Sequence, residues 1–350
     1  MRRRGPRAPG WRPLAALLAA LLALPAAAET PAEFYKGKQI HLVVGYPPGS
    51  GLDINARALG AHIGRHIPGA PTIVIENMVG ASSLQAANYL YEKAPRDGTY
   101  IGTISHDMLV APLLEAAQDG NMRFDARKFN WLGSPSRSVL VGFVWAGTGI
   151  TDFRTLLTRQ TIVATATAGS ESYIISNLLN RLLGTKLKIV AGYPGSNDMF
   201  VAVERGEVEG FFGGSLGTLM STRPDWLRQR KVTMLVQMAL EKDPSLPEVP
   251  LLSDFATSDA MRKTMELILA PGAASRPYLA PPGLPRDRVE ALRAAFDATM
   301  TDPQFRQDAA KSNMEVSPLS GAAIDAMLRE IYASPDSVVT AARNALKFAQ

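Results

Sequence analysis

The sequence has no cysteine and only four histidines. Without thiols there is no disulfide framework, no thiolate metal site, no thiol nucleophile and no lipid-modified N-terminal cysteine. Stability must then come from a buried core. Long apolar runs are also scarce. The one conspicuous stretch, 14–24, is shorter than the roughly 20 residues a bilayer requires, and Pro25 ends it. Charge of one sign is missing as well. The 350 residues carry 37 Lys+Arg against 32 Asp+Glu, but Arg2, Arg3, Arg4, Arg7 and Arg12 account for the whole excess. Removing those five leaves 32 against 32, which gives no support to a nucleic-acid or acidic-membrane partner.

Those arginines, the apolar stretch behind them and the small residues Ala26-Ala27-Ala28 form the three parts of an export signal. The expectation is a signal peptide over 1–28 and a mature protein in the periplasm. The remaining 322 residues suffice for two domains with a sizeable core.

Along the mature chain, short apolar runs alternate with helical periodicities. Strands are expected at 40–44, 72–76, 100–104, 139–144, 161–166, 187–190, 232–237 and 267–270, and helices near 54–66, 82–93, 173–183, 199–205 and 223–230. This alternation argues for an α/β protein with parallel-type sheets flanked by helices. Such sheets bind ligands beyond the carboxyl ends of their strands. After the punctuation Pro281-Pro282-Gly283-Leu284-Pro285, Val289, Leu292, Phe296 and Met300 mark one face of a helix over 287–300. Asp302-Pro303 and Ser320 cap two more helices. This last part is read as packing.

Glycine- and serine-rich helix starts recur at the ends of the expected strands. The first is Gly45-Tyr46-Pro47-Pro48-Gly49-Ser50-Gly51-Leu52-Asp53. The others are Gly80-Ala81-Ser82-Ser83, Thr165-Ala166-Thr167-Ala168-Gly169-Ser170, and Gly192-Tyr193-Pro194-Gly195-Ser196-Asn197. A helix start leaves backbone N–H donors without partners, and the helix dipole favours an anion there. The same residues also serve simply as caps and turns. None of the loops has the Lys-Ser/Thr of a phosphate loop or a complete dinucleotide fingerprint. Candidate ligand-binding residues are therefore Tyr46, Pro48, Gly49, Ser50, Gly51, Asp53, Ser82, Ser83, Thr165, Ala168, Gly169, Ser170, Tyr193, Gly195, Ser196 and Asn197. Asp53 either touches the ligand, or orders its own loop or caps its helix. Tyr46 and Tyr193 are either cleft walls or ordinary packed rings.

The order and spacing of the motifs resemble the extracytoplasmic receptors of tripartite tricarboxylate transporters, the Bug family, from about Tyr35 to Tyr332. Pro47-Pro48-Gly49-Ser50-Gly51-Leu52-Asp53 is similar to that family's first loop, with Ser50 in place of a glycine. Glu76-Asn77-Met78-Val79-Gly80-Ala81-Ser82-Ser83 corresponds to its Glu-Asn-Arg-Pro-Gly-Ala-Gly-Gly. Ala94-Pro95-Arg96-Asp97-Gly98-Thr99-Tyr100, Tyr193-Pro194-Gly195-Ser196, Arg205-Gly206-Glu207-Val208-Glu209, Leu246-Pro247-Glu248-Val249-Pro250 and Ala280-Pro281-Pro282-Gly283-Leu284-Pro285 follow in family order.

The resemblance implies a two-lobed, type II (Venus-flytrap) periplasmic binding protein. Domain 1 would be 29–145 plus 238–350, domain 2 would be 146–237, and the ligand would lie between them. It also implies capture of a small di- or tricarboxylate or aromatic carboxylate through main-chain amides and hydroxyls, without an arginine clamp. The captured acid would be delivered by a monomer to membrane transporter subunits. The alternative is a sensory module acting on a membrane signalling protein. Glu171 stands where the family commonly has proline. Pointing outward it would favour its helix dipole; facing the cleft it would repel a second ligand carboxylate or accept from an amide, hydroxyl or amine.

Enzymatic readings are weaker. Gly213-Gly214-Ser215-Leu216-Gly217 matches a nucleophile elbow, yet His41, His62, His66 and His106 all precede Ser215, so that fold's downstream base is missing. Gly214 and Ser215 are expected instead in a turn that lines the cleft. His62 and His66 have metal-compatible helical spacing but lack a zinc-protease glutamate. His106, beyond the third strand, is the histidine best placed to reach a ligand. No cofactor, metal or catalytic residue is expected.

Overall fold

Two mixed sheets, each covered by helices, organise the protein. The computed structural model describes residues 29–114, 121–312 and 314–347; the expected export signal over 1–28 lies outside them. The first sheet contains β1 (Gln39–Val44), β2 (Thr72–Asn77), β3 (Tyr100–Thr103), β4 (Asn130–Ser134), β10 (Tyr278–Ala280) and β11 (Leu319–Ser320), in the order β11-β4-β10-β3-β1-β2. The second contains β5 (Leu140–Trp145), β6 (Thr161–Ala164), β7 (Leu187–Val190), β8 (Gly210–Ser215) and β9 (Val232–Met238), in the order β7-β6-β8-β5-β9.

The strands form where the side-chain period of two serves two cores at once. In β1, Ile40, Leu42 and Val44 enter one cluster with Phe296, while Val43 enters another with Trp131. A strand buried on both faces loses the polar alternation of a half-exposed one and reads as a continuous apolar run. In the second sheet, Val141 and Phe143 pack with Phe200 and Trp226, while Leu140 and Val144 face Phe212 and Leu235.

Helices relevant to the site are α1 (Gly51–Ile63), α2 (Leu84–Glu92), α3 (Glu171–Leu183), α4 (Ser196–Glu204), α5 (Leu216–Thr222), α6 (Asp259–Ala273), α7 (Arg286–Thr301), α8 (Pro303–Lys311), α9 (Gly321–Tyr332) and α10 (Asp336–Lys347). Asp302 caps α8 and Ser320 caps α9, as the sequence predicts.

Two expectations need correction. The run 267–270 is not a strand but part of α6, capped by Ser258. Leu267 and Ala270 join the first sheet's core, whereas Met265 and Leu269 join the second's. A helix buried on two sides shows no polar stripe, so a short window of it resembles a buried strand. The sheets are also mixed, not parallel throughout. β10 runs antiparallel to β3 and β4, and β5 runs antiparallel to β8 and β9. Those pairings place 140–145 in the second sheet.

Candidate functional site

β1, β2 and β3 are mutually parallel, so the segments after Val44, Asn77 and Thr103 emerge at one edge of the first sheet. β6 is parallel to β7 and β8, so the segments after Ala164, Val190 and Ser215 share an edge of the second. The glycine-rich loops are among these segments, whereas Gly214 and Ser215, expected in a turn, are the last residues of β8 itself. Two observations turn the edges toward each other. The charge of Asp107, beyond β3, reaches Glu171 on α3. The carboxylate of Glu315, from the segment before β11, lies 3.0 Å from where a Cβ on Gly217 of α5 would stand.

In the first loop Ser50 caps α1, its Oγ accepting from Asp53 N–H at 3.3 Å. Asp53 is buried and accepts from Gly49 N–H at 2.8 Å, Arg57 Nε at 2.9 Å and Asn77 Nδ2 at 2.9 Å. The Arg57 bond chiefly pulls its carboxyl down to about 2. Asp53 thus orders the loop; its carboxylate faces protein donors. Pro48, Gly49 and Gly51 are exposed and Tyr46 is half-buried. Among the described residues the first-turn amides of Gly51 and Leu52 have no hydrogen-bond partner.

The second loop contributes a different device. Ser83 is fully buried, donates to Gly45 O at 3.2 Å and accepts from Ser105 N–H at 3.0 Å. It stitches the ends of β1 and β3 to the start of α2. A Cβ on Gly45 would stand 2.4 Å from Ser83 Oγ, which explains the glycine. Ala81, Ser82 and Ser83 have φ of 43°, 49° and 80°, three successive residues in the left-handed region. Each non-glycine residue there costs roughly 1–2 kcal/mol, at positions where the resembled family has a residue pair Gly-Gly at the last two. Ser82 is exposed and its hydroxyl holds no hydrogen bond among the described residues. Ser82→Gly is therefore expected to raise stability by about 0.5–1 kcal/mol, the strain relieved less glycine's unfolded-state entropy. Thermal denaturation checks this; a lower melting temperature would refute the strain argument.

In the second sheet's loops Ser170 caps α3, accepting from Tyr173 N–H at 3.4 Å, and Ser172 Oγ accepts from Ala166 N–H at 3.1 Å. Thr165 is buried, whereas Ala168 and Gly169 are exposed at the tip, Gly169 with φ of 84°. Amides of Glu171 and Ser172 on α3, and of Ser196 and Asn197 on α4, are unpartnered among the described residues. Gly195 caps α4 with no side chain, leaving that helix start open. Tyr193 packs half-buried against the core that holds Phe200. Gly214 is buried within β8, and Ser215 precedes α5 at the strand end.

Glu171 lies exposed on the first turn of α3. Protein atoms around that turn still strip part of its solvation. That desolvation, with the Asp107 charge, pushes its carboxyl up to about 7. Asp107 accepts from Ser105 Oγ at 2.9 Å and lies 3.4 Å from His106 Nε2. The remaining histidines sit elsewhere, each against an acid: His41 on Glu76, His62 on Asp308 and His66 on Asp302. Among the described residues no cluster of His, Asp and Glu has metal-holding geometry.

Sequence reasoning missed Arg276. Its guanidinium lies 3.3 Å from where a Cβ on Gly51 would stand, beside the open start of α1. No motif marks it. It arrives because β10 pairs Tyr278 with Thr103, bringing the residues before Tyr278 to the edge where β3 ends.

No protein-family model matches the sequence. The chain is 24% identical over 314 residues to a UPF0065 protein of Bordetella bronchiseptica, covering 88% of this chain and 86% of that one. Its structure resembles a ligand-free TctC solute binding protein from Polaromonas with TM-score 0.68 and 17% identity, over 90% of this chain and 99% of the other. MatC of Rhodopseudomonas palustris with bound malate gives 0.51 and 20%, over 88% and 99%. A second R. palustris protein, with adipate, gives 0.51 and 20%, over 89% and 97%. The fold is that of these periplasmic and solute-binding proteins, two helix-covered sheets. More narrowly, its structural neighbours are the TctC and Bug proteins that the loop motifs resemble.

Proposed function

We propose that the protein belongs to the Bug family and is a periplasmic receptor that captures a small organic acid for the membrane subunits of a tripartite tricarboxylate transporter. The observation that carries this reading is the set of unpartnered first-turn amides at α1, α3 and α4, on sheet edges that face each other. Helix starts favour an anion through aligned N–H groups and the dipole, with no reactive side chain needed. The malate and adipate held by two proteins of the same fold support a carboxylate as the anion. The lobes would be built on the two sheets, with α6 and α10 along the hinge side. Closing would bury the ligand and present a changed surface to the membrane partner.

Isothermal titration against mono-, di- and tricarboxylates tests the reading. One saturable site is expected, together with a ligand-dependent rise in melting temperature. Ser196→Trp should block the site while leaving the far-ultraviolet circular dichroism unchanged, because Gly195 and not Ser196 caps α4. Folded protein that binds no member of the panel would overturn it.

A further inference from the structure

Resting on that receptor reading, the geometry points to the place where the two halves turn. We propose that a cluster of hydroxyls, from Ser134, Ser136 and Ser275, is the pivot about which the lobes close on the ligand.

Two crossings between the sheets run side by side. One leads from β4 to β5 through Pro135-Ser136-Arg137-Ser138-Val139, the other from α6 to β10 through Ala274-Ser275-Arg276-Pro277. Ser275 N–H donates to Ser136 O at 3.2 Å, and Ser138 N–H donates to Gly272 O, at the end of α6, at 2.8 Å. Side chains supply the remaining bonds. Ser134 Oγ donates to Ser136 O at 2.8 Å and accepts from Arg276 N–H at 3.1 Å. Ser275 Oγ lies 2.9 Å from both the carbonyl oxygen and the hydroxyl of Ser136. Ser134 and Ser136 are buried. The cluster sits where α6, which borders both cores, gives way to the first sheet.

This chemistry suits a joint that turns. A main-chain ladder fails when its strands rotate, because each N–H points in one fixed direction. A hydroxyl hydrogen instead swings about its C–O bond, and either serine of the Ser136–Ser275 pair can donate. Ser136 O has three donors within reach for its two lone pairs, so bonds can exchange without stranding a buried group. The backbone next to the cluster is also loosened. Pro271 interrupts the last turn of α6, and Gly272 follows it. Hinges are built from a few such residues at the ends of elements.

The chain has no cysteine of its own, so an engineered pair reports on this joint alone. Two hydroxyls 2.9 Å apart leave their Cβ atoms close to the span of a disulfide. The mature chain carrying Ser136→Cys and Ser275→Cys is titrated with the best-binding acid of the carboxylate panel. Its oxidised form should bind within about threefold of its reduced form, because a pinned axis still turns. Small-angle scattering should show the same ligand-induced contraction in both forms. Without the hydroxyls the crossings slide and closing must restore more order. Ser136→Ala with Ser275→Ala should therefore bind at least about fivefold more weakly, the scale of one hydrogen bond, with unchanged circular dichroism. Ser275→Thr, which keeps the hydroxyl, should bind as the wild type does. Failure of the two cysteines to join would overturn the pivot, since the contact itself would be absent. So would a larger effect of oxidation, absence of the contraction, or wild-type affinity in the alanine pair. Each of these leaves the receptor standing, whereas a wild-type chain that binds no acid overturns both.

Discussion

Replacing Gly213 with valine is expected to abolish ligand capture and to lower the melting temperature. Gly213 lies in β8 with φ of 80°, and a Cβ there would stand 2.9 Å from Ile175 Cβ and 3.0 Å from Ser172 Cα. Those atoms belong to the first turns of α3, the helix whose open start faces the gap. The substitution would force a left-handed backbone at about 1–2 kcal/mol and overpack the contact at about 1–3 kcal/mol. Part of the strain would be relieved by pushing α3 away from its strand, moving the Glu171 and Ser172 amides off target. Gly213→Ala should lie between wild type and valine. Calorimetry with the best-binding acid and thermal denaturation read the two effects separately. Wild-type affinity in Gly213→Val would mean that α3 is not part of the site.

The second large effect concerns Asp53. Asp53→Ala would remove the bonds from the Gly49 N–H and from Asn77 Nδ2, both partly reached by solvent, and each such bond is worth about 0.5–1.5 kcal/mol. Arg57 would lose its partner, but it is largely exposed and contributes little. The pH dependence has a definite sign. A carboxyl held near 2 when folded, against about 3.9 when unfolded, stabilises fully above that unfolded value. This contribution disappears as pH falls from about 4 through 2. Solvent lies close behind the loop, so screening makes it smaller than the shift alone suggests. Asp53→Asn should flatten that acid limb in melts between pH 2 and 5. An unchanged limb would place the acid sensitivity elsewhere.

Much of the site's frame was legible because it depends on local chemistry. Ser170 caps the helix the sequence assigned to it, since a short hydroxyl before an apolar periodicity satisfies an N–H wherever the helix lies. Asp302 and Ser320 follow the same logic. Ser50, not singled out as a cap, starts α1 three residues earlier than expected. Elements defined by long-range pairing were not legible. β10 is three residues long and exists only because it docks between β3 and β4. β8 is masked by Gly213-Gly214, which read as a turn but serve close packing against α3 and Phe211. Arg276 was invisible for the same reason: its proximity to Gly51 follows from an antiparallel pairing between residues far apart in sequence. The influence of Asp107 on Glu171 likewise depends on how two segments far apart in sequence meet, which no local pattern encodes.

The helices that border both cores have a thermodynamic consequence. α6 and α10 each contribute side chains to the cluster around Trp131 and to the cluster around Phe212. Neither half can melt without stripping apolar cover from the other. The chain, although long enough for independent units, is therefore expected to denature as a single cooperative block, with far- and near-ultraviolet circular dichroism lost together.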